Sequence, residues 1–274
     1  MRKKFIFLLT LVIALLLVAA CAEYLVPYDP YAQDLSQALK APSSAHPFGT
    51  DRYGRDLMSR VIVGSRTTIY SALLLVVIIT VIGTIVGIFC GYLGGVVDSC
   101  LMRISDIFLA FPGMVFAIAV AGILGGGLSN AGLALACISW PKYARLARSQ
   151  VMALRDSCFI QAAKLSGSGT GKMIMKHILP NIAGTIIVTA VLDIGTMIME
   201  IAGLSYLGLG AMPPMAEWGS MMSSGRSMLQ TAPWVILAPG FAIFITVVIF
   251  NLFGDTVRDL LDPRQKREKT EKRK

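Results

Sequence analysis

"IYSALLLVVIITVIGTIVGIFCGYLGG", residues 69–95, carries no charged side chain in 27 positions. About 20 apolar residues in helical geometry cross the hydrocarbon core of a bilayer. Lipid offers backbone N–H and C=O groups no partners, so a single segment crosses only as a helix that pairs them internally. The stretch reads as a transmembrane helix, and it sets the class of the whole chain.

Working outward, five more apolar segments follow the same logic: 5–26, 107–124, 128–140, 182–203 and 235–254. Of the 274 residues 55% are apolar and 15% charged, with a mean hydropathy of +0.69; soluble domains carry about 25% charge. The segment "LSNAGLALACISW" (128–140) has only 13 residues. Its helix is expected to continue through "PKYARLAR", with Lys142 and the arginines snorkelling to the interface. The expected fold is all-α, a polytopic membrane protein of six transmembrane helices. Its divisions are an N-terminus with the first helix (1–26), an extracytoplasmic segment (27–66), a five-helix core (67–258) holding a loop at 141–181, and a basic tail (259–274).

With six spans, nineteen of the 25 lysines and arginines fall on the side of the two termini, and six on the other. Positive charge is retained in the cytoplasm, so both termini are expected there. The formal charge of +9 is concentrated in the tail "RQKREKTEKRK", which reads as a solvated end facing anionic lipid, with no nucleic acid partner. "LLLVAAC" after "MRKK" resembles a lipoprotein signal ending at Cys21. The first apolar run is long enough to remain as an uncleaved anchor.

"LSGSGTGKM" (165–173) looks like a phosphate-binding loop and fails as one. Ser166 occupies the first glycine position, and Met173 stands where a hydroxyl must reach magnesium. The five cysteines include no CxxC pair, and the two histidines, His46 and His177, are expected on opposite sides of the membrane. No metal site and no cofactor bound by this chain are expected. The 14 methionines read as flexible packing.

The loop 141–181 has an organisation of its own. "ARSQVMALRDSCFIQAAKLSG" is an amphipathic helical run, glycines 167, 169 and 171 interrupt it, and "KMIMKHIL" restarts a second short helix before Pro180. Two short helices at a glycine corner make a knob on the cytoplasmic face, suited to lie on lipid or to dock another protein.

Within this loop "QAAKLSGSGTGKMIMKHILPN" resembles the signature loop of ABC importer permeases. Gln161 stands in place of the usual glutamate, Ala162, Ala163 and Gly167 match, and Leu179 and Pro180 close the pattern. The segments 28–69, 103–113, 203–219 and 250–264 are similar to the dipeptide, oligopeptide and nickel permeases. The resemblance implies the type I, binding-protein-dependent permease fold in the plasma membrane. It also implies a homologous second permease subunit, two ABC ATPase subunits that bind ATP and magnesium, and an extracytoplasmic substrate-binding protein. The chain itself is then a transport subunit and not an enzyme. The rival classes are a membrane-embedded nucleotide-using enzyme and a lipid-anchored scaffold.

Physical reasoning adds two candidate sites. Asp51, Arg52, Arg55 and Asp56 in "GTDRYGRD" are read either as a binding-protein contact or as a loop that satisfies itself. Asp193 and Glu200, seven residues apart with Met197 between them, share one helix face as acids inside the membrane. Such groups face a pathway or a subunit interface, or sit hydrated near the outer boundary. The stretches 139–151, 162–169, 192–210 and 216–219 look closer to the nickel branch, so import of nickel or a nickel chelate is the expected function. Di- or oligopeptides are the alternative cargo.

Overall fold

The computed structural model describes residues 2–261. Helix α1 covers Arg2–Ala20 and is followed by a single turn, α2 (Ala22–Leu25). A long irregular segment leads to α3 (Leu57–Leu93). Then come α4 (Gly95–Ala110), α5 (Gly113–Ile123), α6 (Leu128–Arg155), α7 (Cys158–Leu165) and α8 (Thr170–Met173). The rest comprises α9 (Leu179–Tyr206), α10 (Trp218–Gly225) and α11 (Trp234–Leu261). Among the described residues the only β-pairing is an isolated bridge between Thr50 and Asp56. The fold is all-α. Most of the tail 259–274 lies outside the described residues.

The span count differs from expectation. Four helical stretches are long and apolar enough to cross a membrane: Lys3–Ala20, Leu57–Leu93, Thr170–Tyr206 and Trp234–Leu261. The number becomes five if α4 and α5 are taken as one broken span. The expected fourth span, 128–140, is the first half of α6, a continuous helix of 28 residues. Its second half carries Lys142, Arg145, Arg148 and Arg155, and this charge removes it from the set.

The third expected span, 107–124, is not one helix. It breaks at Pro112, and α4 and α5 meet at a 92° bend. Phe111, at φ −94° and ψ 147°, is extended, because the proline ring crowds the helical region of the residue before it. Helix α3 begins twelve residues before the apolar run at 69, so the segment 27–66 is partly helical. Asp56 starts it by accepting the Ser59 N–H at 2.8 Å. At about 1.5 Å per residue its 37 residues reach roughly 55 Å, well beyond the roughly 30 Å core of a bilayer.

Helices α3 and α6 form the centre of the bundle. They approach so closely that a Cβ on Gly83 would lie 2.5 Å from the Trp140 carbonyl oxygen. One on Gly87 would lie 2.2 Å from that of Ala144, and one on Gly91 would lie 2.9 Å from that of Arg148. Glycines at every fourth position place one bare stripe along α3, which admits the neighbouring backbone. Tyr143, Ala144, Ala147 and Val151 fill the seam and are buried.

Candidate functional site

The bundle has two ends with different chemistry. At one end the loop after α6 builds a knob. Helix α6 stops at Arg155, and the Ser157 hydroxyl donates to the Leu154 carbonyl at 2.6 Å. Helix α7 then runs for eight residues and ends in a Schellman turn. Gly167 N donates to Lys164 O at 3.0 Å and Ser168 N to Ala163 O at 3.1 Å, with Gly167 at φ +76°. Side chains with a Cβ resist this left-handed conformation, which is why glycine closes the helix.

Helix α8 does not form a second separate element, contrary to the expectation of two short helices. It passes through a π-helical turn, Ile174–Ile178, directly into α9. Thr170–Tyr206 is a single helical stretch of 37 residues. The wide turn precedes Pro180, whose ring would clash with the carbonyl four residues earlier in a regular helix.

Ile160, Met173 and Ile178 anchor the knob in the core, and Ala163 packs against it. The Lys164 ammonium sits 5.6 Å from the Tyr92 ring centre at the end of α3. Phe159, Met175 and Leu165 are exposed, Leu165 at 90%. Gln161 and Ala162 are exposed as well. A Cβ on Gly167 would meet no atom within 4 Å among the described residues. "LSGSGTGKM" is thus the end of α7, its turn and the start of α8.

In the middle of the bundle Asp193 (α9) is buried and faces α6. Lys142 Nζ contacts its two carboxylate oxygens at 2.6 and 2.8 Å, and the Tyr143 hydroxyl donates to it at 2.8 Å. Lys142 therefore does not snorkel. Arg145 pairs with Asp106, and Arg148 pairs through two bonds with Asp98 at 2.5 and 2.7 Å. Both acids belong to α4. Lys142, Arg145 and Arg148 are held by neighbouring helices because carboxylates on α4 and α9 lie within reach, whereas Arg155 lies 3.7 Å from Asp156 just past the end of α6. Met197 is buried on the same α9 face. Glu200 is half-buried, and its Oε2 is enclosed without a hydrogen-bond partner among the described residues.

At the other end the segment 27–56 meets the start of α11, where Trp234 Nε1 donates to the Thr50 carbonyl at 3.3 Å. Asp51 accepts from Arg55 Nε at 2.7 Å, and Arg60 Nε lies 3.7 Å from the same oxygen. Asp56 caps α3 and accepts from His46 Nδ1 at 2.9 Å. Asp51, Arg55 and Asp56 are buried in these pairs, so of the four candidate contact residues only Arg52 remains exposed. The alternative of a loop that satisfies itself describes those three. Asp34 is fully exposed, and the Ser36 hydroxyl and N–H it accepts hold its carboxyl below the usual range.

Sequence reading missed Glu217. It is fully buried and accepts the N–H groups of Gly219 at 2.9 Å and Ser220 at 2.8 Å, starting α10. Burial raises its carboxyl above the ordinary value, against the opposing effect of these two N–H groups. Trp218 beside it donates from Nε1 to the Val61 carbonyl at 2.9 Å and locks α10 onto α3. The stretch "AEWG" carried a signal, an acid before a short helix flanked by tryptophan and glycine, but no periodicity that reveals depth.

Comparison with known proteins fits this architecture. Residues 83–267 match the family model described as binding-protein-dependent transport system inner membrane component. The probable D,D-dipeptide transport system permease protein of Escherichia coli K12 is 46% identical over 93% of this chain and 85% of its own length. The glutathione transport system permease protein of Pectobacterium atrosepticum is 42% identical over 93% and 85%. The nickel transport system permease protein of Escherichia coli K12 is 40% identical over 92% of each chain. A chain from inward-facing structures of the MetNI methionine ABC transporter superposes with a TM-score of 0.60 at 18% identity, covering 75% of this chain and 98% of that one. The chain belongs to the binding-protein-dependent transport system inner membrane component family. It is an ABC importer permease of the type I fold, a multi-pass protein of the inner membrane.

Proposed function

We propose that this permease carries short peptides into the cell as one subunit of an importer. A homologous permease, two ATPase subunits and an extracytoplasmic binding protein complete the assembly, and both termini face the cytoplasm. The observation that carries the coupling role is the knob of α7 and its Gly167 turn. Ile160, Met173 and Ile178 seat it in the core, and Phe159, Leu165 and Met175 stay exposed for a partner. Because α8 runs unbroken into α9, a push on the knob moves the helix that bears Asp193, Met197 and Glu200. ATP and magnesium belong to the ATPase subunits in this reading, and this chain holds no cofactor.

Peptides are preferred here to the nickel expected from sequence, with support from the D,D-dipeptide relative's identity of 46% beside the nickel relative's 40%. Nickel or a nickel chelate remains the second reading, favoured by the nickel relative's match over 92% of its own length. Deleting this subunit and following labelled dipeptide and radiolabelled nickel uptake side by side decides between them. Loss of dipeptide uptake with unchanged nickel accumulation is expected, and the reverse pattern assigns nickel.

A further inference from the structure

The end of the bundle opposite the knob contains a half-open cavity of about 650 Å³. That lies within the usual range for small-molecule sites, about 300–1,000 Å³. Its walls come from two distant stretches, residues 51–60 and 205–235. Four arginines line it, Arg52, Arg55, Arg60 and Arg226, against one carboxylate, Asp51. Asp51 is already engaged by Arg55 and approached by Arg60, whose Nη1 also donates to the Pro30 carbonyl at 2.9 Å.

Arg52 and Arg226 differ from these two. Both are exposed, and among the described residues neither lies within ion-pair distance of a carboxylate. All four guanidinium groups rest near an aromatic ring, Arg52 at 4.6 Å and Arg55 at 4.7 Å from Tyr53, Arg60 at 5.9 Å from Tyr31 and Arg226 at 5.9 Å from Tyr206, so the lack of a carboxylate partner is what distinguishes Arg52 and Arg226. Attraction to a ring face uses none of the guanidinium's hydrogen bonds to oxygen acceptors. The cavity is therefore lined by two arginines, from positions 52 and 226, that have no carboxylate partner among the described residues.

The remaining lining is of two kinds. Ser220, Ser223, Ser224 and Ser227 supply hydroxyls, and Met212, Met215, Met221 and Met228 supply apolar wall. Methionine side chains bend to fit varied shapes, so this wall tolerates differing apolar groups. A guanidinium fork suits a carboxylate. A ligand that joins one carboxylate to a variable apolar side chain matches both halves of the lining.

We propose that this cavity is a binding site for a small carboxylate-bearing ligand, a short peptide with a free C-terminus, held by Arg52 and Arg226. The assignment to cargo rests on the peptide-import reading, whereas the site itself is tested by binding alone. The assembled permease complex in lipid nanodiscs, without binding protein, is titrated with tritiated Ala-Ala and with Ala-Ala amide. The variants are Arg52→Gln, Arg226→Gln, and the charge-preserving Arg52→Lys and Arg226→Lys, each checked for yield of assembled complex.

Saturable binding of Ala-Ala, weaker by roughly tenfold for the amide and for each Gln variant, with partial recovery in the Lys variants, is expected. No saturable binding of Ala-Ala by the wild type, or equal binding of acid and amide, overturns the site. Unchanged Ala-Ala binding in the Gln variants with weakened docking of the binding protein assigns the arginines to an acidic protein partner and also overturns it. Dipeptide uptake by wild-type cells separates the two ideas. Uptake without binding at the cavity leaves the transport reading standing, and binding without uptake leaves the site standing and removes peptides as cargo.

Discussion

Lys142 on α6 and Asp193 on α9 are joined by two contacts, at 2.6 and 2.8 Å, across the helices that flank the knob. Asp193 is buried, while the Lys142 side chain is 54% exposed. The pair and the Tyr143 hydroxyl tie α6 to α9, so both helices respond together to force applied between them.

Asp193→Asn is expected to lower the melting temperature of the purified permease complex, because it leaves Lys142 without its counter-charge in a low-dielectric setting. The loss is about 1–3 kcal/mol, less than for a fully buried pair because Lys142 is half open. Lys142→Met combined with Asp193→Asn restores part of it. Equal melting temperatures for wild type and Asp193→Asn discard the clamp.

Glu200→Gln behaves differently. Glu200 Oε2 has no partner among the described residues, so neutralising the group sacrifices no hydrogen bond on that oxygen. Assembly is expected to be unchanged while uptake falls. Unaltered uptake by Glu200→Gln returns the residue to a passive place on α9.

Gly167 separates folding from coupling. A Cβ there meets nothing among the described residues, but φ is +76°. Gly167→Leu is expected to cost about 1–2 kcal/mol of local strain and to abolish substrate-stimulated ATPase activity in the reconstituted importer, with assembly retained. Gly167→Asn, which tolerates the left-handed region, keeps more activity than Leu. Normal stimulation with Leu means that the turn is not where ATPase motion enters.

Gly87 gives the opposite outcome. Its Cβ would stand 2.2 Å from the Ala144 carbonyl oxygen, so backbone must move. Gly87→Ala is expected to lose about 1–3 kcal/mol of stability, read as reduced yield and melting temperature in detergent. Gly171→Ala, whose Cβ meets no atom and whose φ is ordinary, serves as the neutral control.

Glu217 predicts a pH dependence. Burial raises its folded-state carboxyl above the unfolded value, so the folded chain binds the proton more tightly. Its stabilising contribution is complete below the ordinary Glu range and is lost as pH rises through the raised value. The melting temperature is expected to decline across that window, and Glu217→Gln flattens the decline. A slope identical in the variant attributes the pH dependence to other groups.

Much of this protein was legible in its sequence because lipid imposes a length rule and the rule acts locally. The run 69–95 announces a membrane helix from its own residues, since backbone groups in lipid have no other way to pair. Gly167 announces the end of α7 for a similarly local reason, the cost of a left-handed backbone. Charge placement on α6 was legible as charge but not as pairing. The apolar length of 128–140 could not reveal that Asp98, Asp106 and Asp193 would meet Arg148, Arg145 and Lys142 from two other helices. The close seam at Gly83, Gly87 and Gly91 was written as spacing, yet only packing identified α6 as the partner. The burial of Asp51, Arg55 and Asp56, and the cavity that unites Arg52 with Arg226, were decided by tertiary structure alone. Arg52 and Arg226 stand 174 positions apart in the chain. Sequence fixes which chemistry a residue carries, whereas depth and partner follow from how the helices are brought together.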